Sequence, residues 1–528
     1  MRPPRLLLIA LVAAVLAAIA IFNLWQSGAE VQRSVKDAGG VPVELFEPTA
    51  SASQAKPAVV VAHGFSGNRQ LMYGFGYTLA RNGYVAALID FAGHGASRER
   101  LPGGSGDAGY RILASNLSSA LEVVRQIPSV DPDRVALLGH SMGAGAVVRY
   151  AAEHPEVPAT VAVSLGGMGS QLPPRPDNPR NLLLLVGANE FAGFLDGSTA
   201  ALQIAYPGAV AGQTYGDFQD GSARRLSIPP GVEHISILFS PEAYRETVSW
   251  LNAALAGSDA PGTPAGNAAE LHIDARIGWV LLLYAAAAVG FYPLSRVLLR
   301  RRTGADEPSA PVAAPAGFMP GWKAALLSAG GGLLAPALML VFPYQWMPLS
   351  VGNYAGGYFL LYGAVLIAGL AAAKRLGPHG WGDVRRLAAP VLILAAYALL
   401  TFGLTAHLTW TNFALAGERL WMGGVLFAFL LSYFWADEML VWRYPARARA
   451  ALYALTKAIL LISLAAAIFA FRAPFFLLLL IPVMLALFAW HGLYSHWLFR
   501  FSGRAWPGAV VNASVLAWMI AATFALGG

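Results

Sequence analysis

Arg134-Val135-Ala136-Leu137-Leu138, then Gly139-His140-Ser141-Met142-Gly143, then Ala144-Gly145-Ala146-Val147-Val148-Arg149-Tyr150-Ala151-Ala152 is the stretch that decides the fold. Its first part is a short apolar run rich in branched residues, the pattern of a buried strand. Its last part reads as a helix. Between them stands G-x-S-x-G. The glycines allow a sharp bend, and the serine hydroxyl is left where a base can reach it. In a chain with 56 glycines the pattern alone says little. Bracketed by strand and helix, it reads as a turn that presents a nucleophile.

Outward from this turn, residues 30–256 alternate short apolar runs with amphipathic stretches. Strands are expected at 41–45, 58–62, 84–89, 134–138, 160–165, 181–186 and 223–228. Strands separated by helices predict an α/β fold with a doubly wound, mostly parallel sheet.

A serine hydroxyl attacks well only when a base removes its proton and an acid orients that base. His234, in Pro230-Gly231-Val232-Glu233-His234, follows the last strand on a loop that can reach the serine. For the acid, Glu190 follows the strand Leu182–Val186 directly, at the strand end where such sheets place functional groups. Asp196, Asp217 and Asp220 are the alternatives. The order serine, acid, histidine is the one the next observations require.

Two further motifs support a resemblance. His63-Gly64-Phe65 follows Val59-Val60-Val61, and Asp90-Phe91-Ala92-Gly93-His94-Gly95-Ala96-Ser97 follows the next strand. Together with the serine turn, these make residues 30–256 resemble an α/β-hydrolase domain. The resemblance implies an oxyanion hole built from the backbone N–H groups of Phe65 and Met142, and structural roles for His63 and His94. The family usually carries Asp where this chain offers Glu190. Many relatives insert a helical cap after the strand at 160–165. Here about 15 residues reach the next strand, too few for a lid, so little or no cap is expected.

Composition places this domain at a membrane. Only 12% of the residues are charged, against about 25% in soluble proteins. An anchor is expected within residues 1–29, with its apolar run at Leu6–Trp25 after Arg2 and Arg5. A tether follows the globular domain at 257–275. Residues 276–528 then read as an all-α polytopic domain, with spans near 276–299, 323–343, 354–373, 387–407, 420–441, 451–471, 473–498 and 507–526. With the anchor this makes about nine. Arg300–Arg302, Lys374, Arg375, Arg385, Arg386, Arg443, Arg447, Arg449, Arg500 and Arg504 share one set of alternate connections. Positive charge stays cytoplasmic, so the globular domain is expected outside, on a bacterial inner membrane.

The net charge of +7 lies beside apolar segments, which argues against a nucleic-acid partner. No cysteine is present, so disulfides and thiolate metal sites are excluded. His491 and His496 are five apart on different helical faces, and neither a metal nor a cofactor is expected. Asp437 and Glu438, carboxylates within a span, are functional candidates by that position, but with Arg443 and the interface near they read as satisfied helix-end charges. The expectation is a membrane-anchored serine hydrolase, carboxylesterase- or lipase-like, acting on small-molecule or lipid acyl esters. Alternatives are a peptidase, an acyltransferase that passes the acyl group to a non-water acceptor, and a transporter or sensor with a non-catalytic domain.

Overall fold

A computed structural model describes residues 3–49, 55–102, 106–255, 271–303, 319–375, 384–442 and 444–527. Residues 257–270 of the expected tether, the connection at 304–318 and Arg443 fall outside the described residues. The chain divides into a globular unit, Ala20–Leu281 with Ala406–Asn412 and Thr523–Gly528, and a helical unit, Met1–Ile19 with Leu282–Thr405 and Phe413–Ala522.

In the globular unit the strands are β1 (Val31–Ala38), β2 (Val41–Pro48), β3 (Lys56–Ala62), β4 (Val85–Ile89), β5 (Val130–His140), β6 (Thr160–Val163), β7 (Leu182–Leu185), β8 (Thr214–Tyr215) and β9 (Arg224–Ser227). They form one sheet in the order β1-β2-β4-β3-β5-β6-β7-β9-β8. From β4 to β9 the pairings are parallel, and β1, β2 and β8 join antiparallel at the edges. The seven expected strands are all present. β1 and β8 were not legible, because β1 buries only its two end residues, Val31 and Ala38, and β8 is two residues long.

Helices α2 (Tyr73–Arg81), α3 (Asp107–Arg125), α4 (Met142–Glu153), α5 (Ala192–Gln203) and α6 (Pro241–Leu255) cover the sheet. Both faces are covered, so the central strands are apolar throughout rather than alternating. Val60, Leu137 and Leu184 join the core beneath α3 and α4. Val59, Val61, Leu138 and Leu183 join the opposite core beneath α2 and α6. The connection from β6 to β7 contains one short 3-10 turn, Gly167–Gln171, and no cap domain.

Two short segments from far along the chain complete this unit. Asn68 Nδ2 donates to Thr411 Oγ1 at 2.9 Å. The backbone of Leu526 exchanges hydrogen bonds with Gly93 and Leu101 at 2.8 and 2.9 Å.

The other helices are α1 (Pro3–Gly28), α7 (Arg276–Thr303), α8 (Gly321–Leu338), α9 (Gly352–Ala372), α10 (Val384–Ala406), α11 (Glu418–Val441), α12 (Ala446–Ala470), α13 (Phe476–Leu479), α14 (Ile481–Ser502) and α15 (Trp506–Thr523). Among the described residues, seven helices are long and apolar enough to cross a membrane: α1, α7, α9, α10, α11, α12 and α15. About nine were expected. Helices do form at the other two places, 323–343 and 473–498, but neither α8 nor α14 is among the seven. Lys323 with Gly330-Gly331-Gly332 dilutes α8, and Trp490, His491 and His496 dilute α14.

Asp437 and Glu438 do lie near the end of α11, but the expectation that they sit at an interface is corrected. Both are buried inside the helical unit. The partner of Asp437 is Lys457, whose Nζ donates to Oδ2 at 2.6 Å. The tight turn between α11 and α12 brings this lysine back along α11, a packing effect that spacing alone does not reveal.

Candidate active site

The backbone at Ser141 has φ 54° and ψ −113°, a left-handed conformation that a non-glycine residue rarely adopts. It is possible because the flanking glycines let chains pass close by. A Cβ at Gly139 would lie 2.2 Å from the carbonyl oxygen of Gly143, and one at Gly143 would lie 2.5 Å from that of His63. The Ser141 N–H donates to the carbonyl of Val163 at 2.8 Å, tying the turn to β6. The hydroxyl therefore stands at the carboxyl end of β5, over the start of α4.

His234 reaches it from the loop between β9 and α6. Its Nε2 lies 3.1 Å from Ser141 Oγ, and its Nδ1 lies 2.8 Å from Glu190 Oε2. This geometry assigns the Nδ1 proton to the glutamate and leaves Nε2 to accept from the serine. Glu190 is fully buried. Its other oxygen accepts from Ser164 Oγ and from the Gly187 N–H, both at 2.8 Å. A buried carboxylate with this many donors is held in a single orientation. The structure brings Ser141, His234 and Glu190 together and leaves the alternatives elsewhere. Asp196 is exposed on α5, and Asp217 and Asp220 accept backbone N–H groups in an exposed turn.

The strand β3 leads into His63-Gly64-Phe65, which lies against the serine turn. A Cβ at Gly64 would meet His140 Nδ1 at 2.8 Å and Ser141 Cβ at 3.1 Å. Phe65 is thus the residue after the closest approach to Ser141. Met142 opens α4, so its N–H belongs to the first turn, where amides have no intrahelical acceptor. Two amides placed in this way can stabilise the negative charge of a tetrahedral intermediate.

His63 and His94 brace this loop. His63 donates from Nδ1 to the Gly64 carbonyl at 2.8 Å and accepts the Phe91 N–H at Nε2, 3.1 Å away. His94 donates from Nδ1 to Ala92 and accepts the Ser66 N–H at Nε2, at 2.9 and 3.2 Å. Burial holds His63 below the ordinary histidine range, with Asp90 opposing the shift. Asp90 is not free to act as an acid. It accepts from the backbone of Arg69 and Ala96, and Gly95 crosses so close that a Cβ there would meet its carboxylate at 2.4 Å.

Sequence reasoning did not find three residues that position the site. Ser164, itself at φ 57°, carries one of the hydrogen bonds to Glu190. His140 donates from Nε2 to the His234 carbonyl at 3.0 Å and so fixes the histidine loop. Burial, then the neighbouring His234, drives His140 well below the ordinary histidine range. Phe194 packs its ring 4.2 Å from that of His234. A serine leaving a strand and an aromatic early in a helix carry no pattern in sequence. His140 alone had a signal, its place inside the G-x-S-x-G turn.

Residues 53–186 match the family described as serine aminopeptidase, S33. The globular unit is an α/β-hydrolase. The α/β-hydrolase unit is 25% identical over 166 residues to the quorum-quenching protein AidA of Acinetobacter baumannii, covering 31% of this chain and 53% of that protein. It is also 32% identical over 99 residues to an uncharacterized protein of Mycobacterium tuberculosis, covering 19% of this chain and 33% of that one. The chain thus spans about half the length of the first relative and a third of the second. Among solved structures, it is similar to a Pyrococcus furiosus esterase (17% identity, TM-score 0.33, 43% of this chain and 94% of that one). It is similar too to a dienelactone hydrolase of Anabaena variabilis (22% identity, TM-score 0.30, 43% and 97%).

Proposed function

We propose that the protein is a membrane-anchored serine hydrolase that cleaves acyl esters through an acyl-enzyme, with its α/β-hydrolase unit on the extracytoplasmic side. One observation carries the reading: the continuous hydrogen-bonded chain Ser141–His234–Glu190 at a strained strand-to-helix turn. Ser141 Oγ attacks the acyl carbonyl while His234 Nε2 takes its proton. The N–H groups of Phe65 and Met142 receive the oxyanion. His234 returns the proton to the leaving alkoxide, and the acyl group stays on Ser141. Water then repeats the sequence, with His234 as its base, and releases the acid. Glu190 keeps its charge throughout and stabilises the imidazolium.

The membrane placement has its own support. Counting α8 and α14 with the seven long apolar helices gives nine spans. With nine spans in sequence, the connections carrying Arg300–Arg302, Lys374, Arg375, Arg385, Arg386, Arg449, Arg500 and Arg504 alternate onto one side, and residues 30–256 fall on the other. Basic residues resist translocation, so their side is the cytoplasm. A tethered enzyme in this position meets lipid and other apolar acyl substrates at the bilayer surface.

A peptidase is the second reading, favoured by the description of the matching family. A panel of nitrophenyl esters of increasing chain length, run beside aminoacyl nitroanilides, separates the two. Turnover of the esters alone supports the proposal, and turnover of the anilides alone replaces it.

A further inference from the structure

In the helical unit, α11, α12, α14 and α15 bring six polar side chains into one place: Asp437, Glu438, Lys457, His491, Ser495 and Asn512. None is more than 5% exposed. Lys457 Nζ donates to Asp437 at 2.6 Å and to Tyr433 OH at 3.1 Å. Ser495 donates its hydroxyl to Glu438 Oε1. Asn512 Nδ2 donates to Ser495 Oγ at 2.8 Å and, more distantly, to Glu438 Oε1 at 3.5 Å. Gly508 admits the carboxylate, since a Cβ there would lie 2.7 Å from Glu438 Oε2.

The charges in this cluster do not balance. Two carboxylates share one cation, and that cation is engaged with Asp437. Glu438 Oε2, Asn512 Oδ1 and both ring nitrogens of His491 have no hydrogen-bond partner among the described residues. The register of the helices places His491 one turn before the contact of this acid with Ser495. Phe434 packs on the His491 ring at 5.2 Å, and four residues later on each helix Glu438 meets Ser495. His491 therefore sits one helical turn from the Glu438–Ser495 contact, on the same face of α14. The groups that interact with Glu438 are Asp437 from α11, Lys457 and Tyr453 from α12, Ser495 from α14 and Asn512 from α15. A lone ionised carboxylate in such surroundings is costly, and intramembrane acids are rare without a function.

We propose that Glu438 forms a proton-binding site within the membrane-spanning unit, with His491 one helical turn away, so that this unit is a proton-linked element and not only an anchor. A proton added to the Glu438 carboxylate makes a neutral acid and leaves Asp437 and Lys457 as a balanced pair. Ser495 and Asn512 hold the acid in place. The ligand is the proton itself, exchanged with water.

The test is infrared difference spectroscopy on the full-length protein in lipid vesicles, between mildly acidic and mildly alkaline buffer. A carboxylic-acid C=O band is expected in the wild type beside that of Asp274, which titrates in the same range and is identified by its loss in Asp274→Asn. The Glu438 band should vanish in Glu438→Gln, persist in Asp437→Asn, and move in frequency in Ser495→Ala, which loses the donor to the carboxyl. His491→Gln should shift the pH midpoint of the band. Gel filtration and near-ultraviolet circular dichroism check the folding of each variant. If Glu438→Gln does not fold, the wild type and Ser495→Ala decide. A wild type with no carboxylic-acid band but that of Asp274 over this range, or a second band untouched by both Ser495→Ala and a folded Glu438→Gln, overturns the proposal. So does a band that responds to sodium in place of choline, which would mark a metal-ion site.

Discussion

Each unit of this protein buries a glutamate, and the two are furnished in opposite ways. Glu190 in the hydrolase unit has both oxygens engaged, by His234 on one side and by Ser164 and Gly187 on the other. Glu438 in the helical unit has one oxygen engaged and one without a partner among the described residues. A fully satisfied carboxylate is a fixed charge that can orient a histidine. One that is half satisfied is a place where charge can change. The contrast separates a carboxylate that orients a neighbouring side chain from one left with a polar atom unpaired.

The comparison is broken most severely at the nucleophile. Ser141→Ala should lower ester turnover by roughly 10⁴-fold or more, with folding intact, because the hydroxyl has no packing role at its half-exposed position. Turnover assays on the purified full chain check this. Glu190→Gln comes next. It keeps the shape of the site but removes the charge that stabilises the imidazolium, and should cost about 10³- to 10⁴-fold in kcat. Asp196→Asn, on the exposed face of α5, should stay within a few-fold of wild type. The reverse pattern would move the acid to Asp196.

Ser164→Ala sharpens the comparison, because it makes Glu190 resemble Glu438 by stripping one donor. A hydrogen bond to a charged group contributes about 1.5–3 kcal/mol, so kcat should fall by roughly 10- to 100-fold with KM little changed. A change in KM alone would mean that Ser164 lines the substrate site and does not position the acid.

The smallest effect is on stability against pH. His63 and His140 are held neutral in the folded state, while the unfolded chain takes a proton on each below about 6.5. Their contribution is complete above that pH and is lost as pH falls below it. Asp274 opposes them: burial pushes its carboxyl up to about 7, so the folded state gains a proton there first, and stability rises as pH drops through that value. The net slope below pH 6.5 should be a loss of about 1.4 kcal/mol per pH unit for each excess proton taken up on unfolding. Thermal unfolding across mildly acidic pH measures it, and Asp274→Asn should steepen the fall.

The sequence carried the globular half further than the helical half for a physical reason. A strained turn needs Gly139 and Gly143 at fixed positions because neighbouring backbone passes within about 2.5 Å of where their Cβ atoms would be. Such constraints leave motifs, and so Ser141, His234, Glu190 and the loops at Phe65 and Asp90 could all be read. Strand β1 could not, because its middle faces solvent and shows no alternation. Ser164 and Phe194 owe their roles to where β6 and α5 end in space. In the helical unit Asp437 meets Lys457, and Glu438 meets Ser495 and Asn512, at separations of 20, 57 and 74 residues set only by helix packing. No periodicity announces such contacts, so the sequence reads Asp437 and Glu438 only as charges near a helix end.

The central claim is that Ser141 is an activated nucleophile facing away from the cytoplasm. A membrane-impermeant fluorophosphonate applied to right-side-out and inside-out vesicles of an expressing bacterium tests both parts at once. The expected result is one adduct, on Ser141 by mass spectrometry, formed in right-side-out vesicles, absent from inside-out ones, and missing in Ser141→Ala. Labelling confined to inside-out vesicles would contradict the topology, and labelling that persists in Ser141→Ala would contradict the nucleophile.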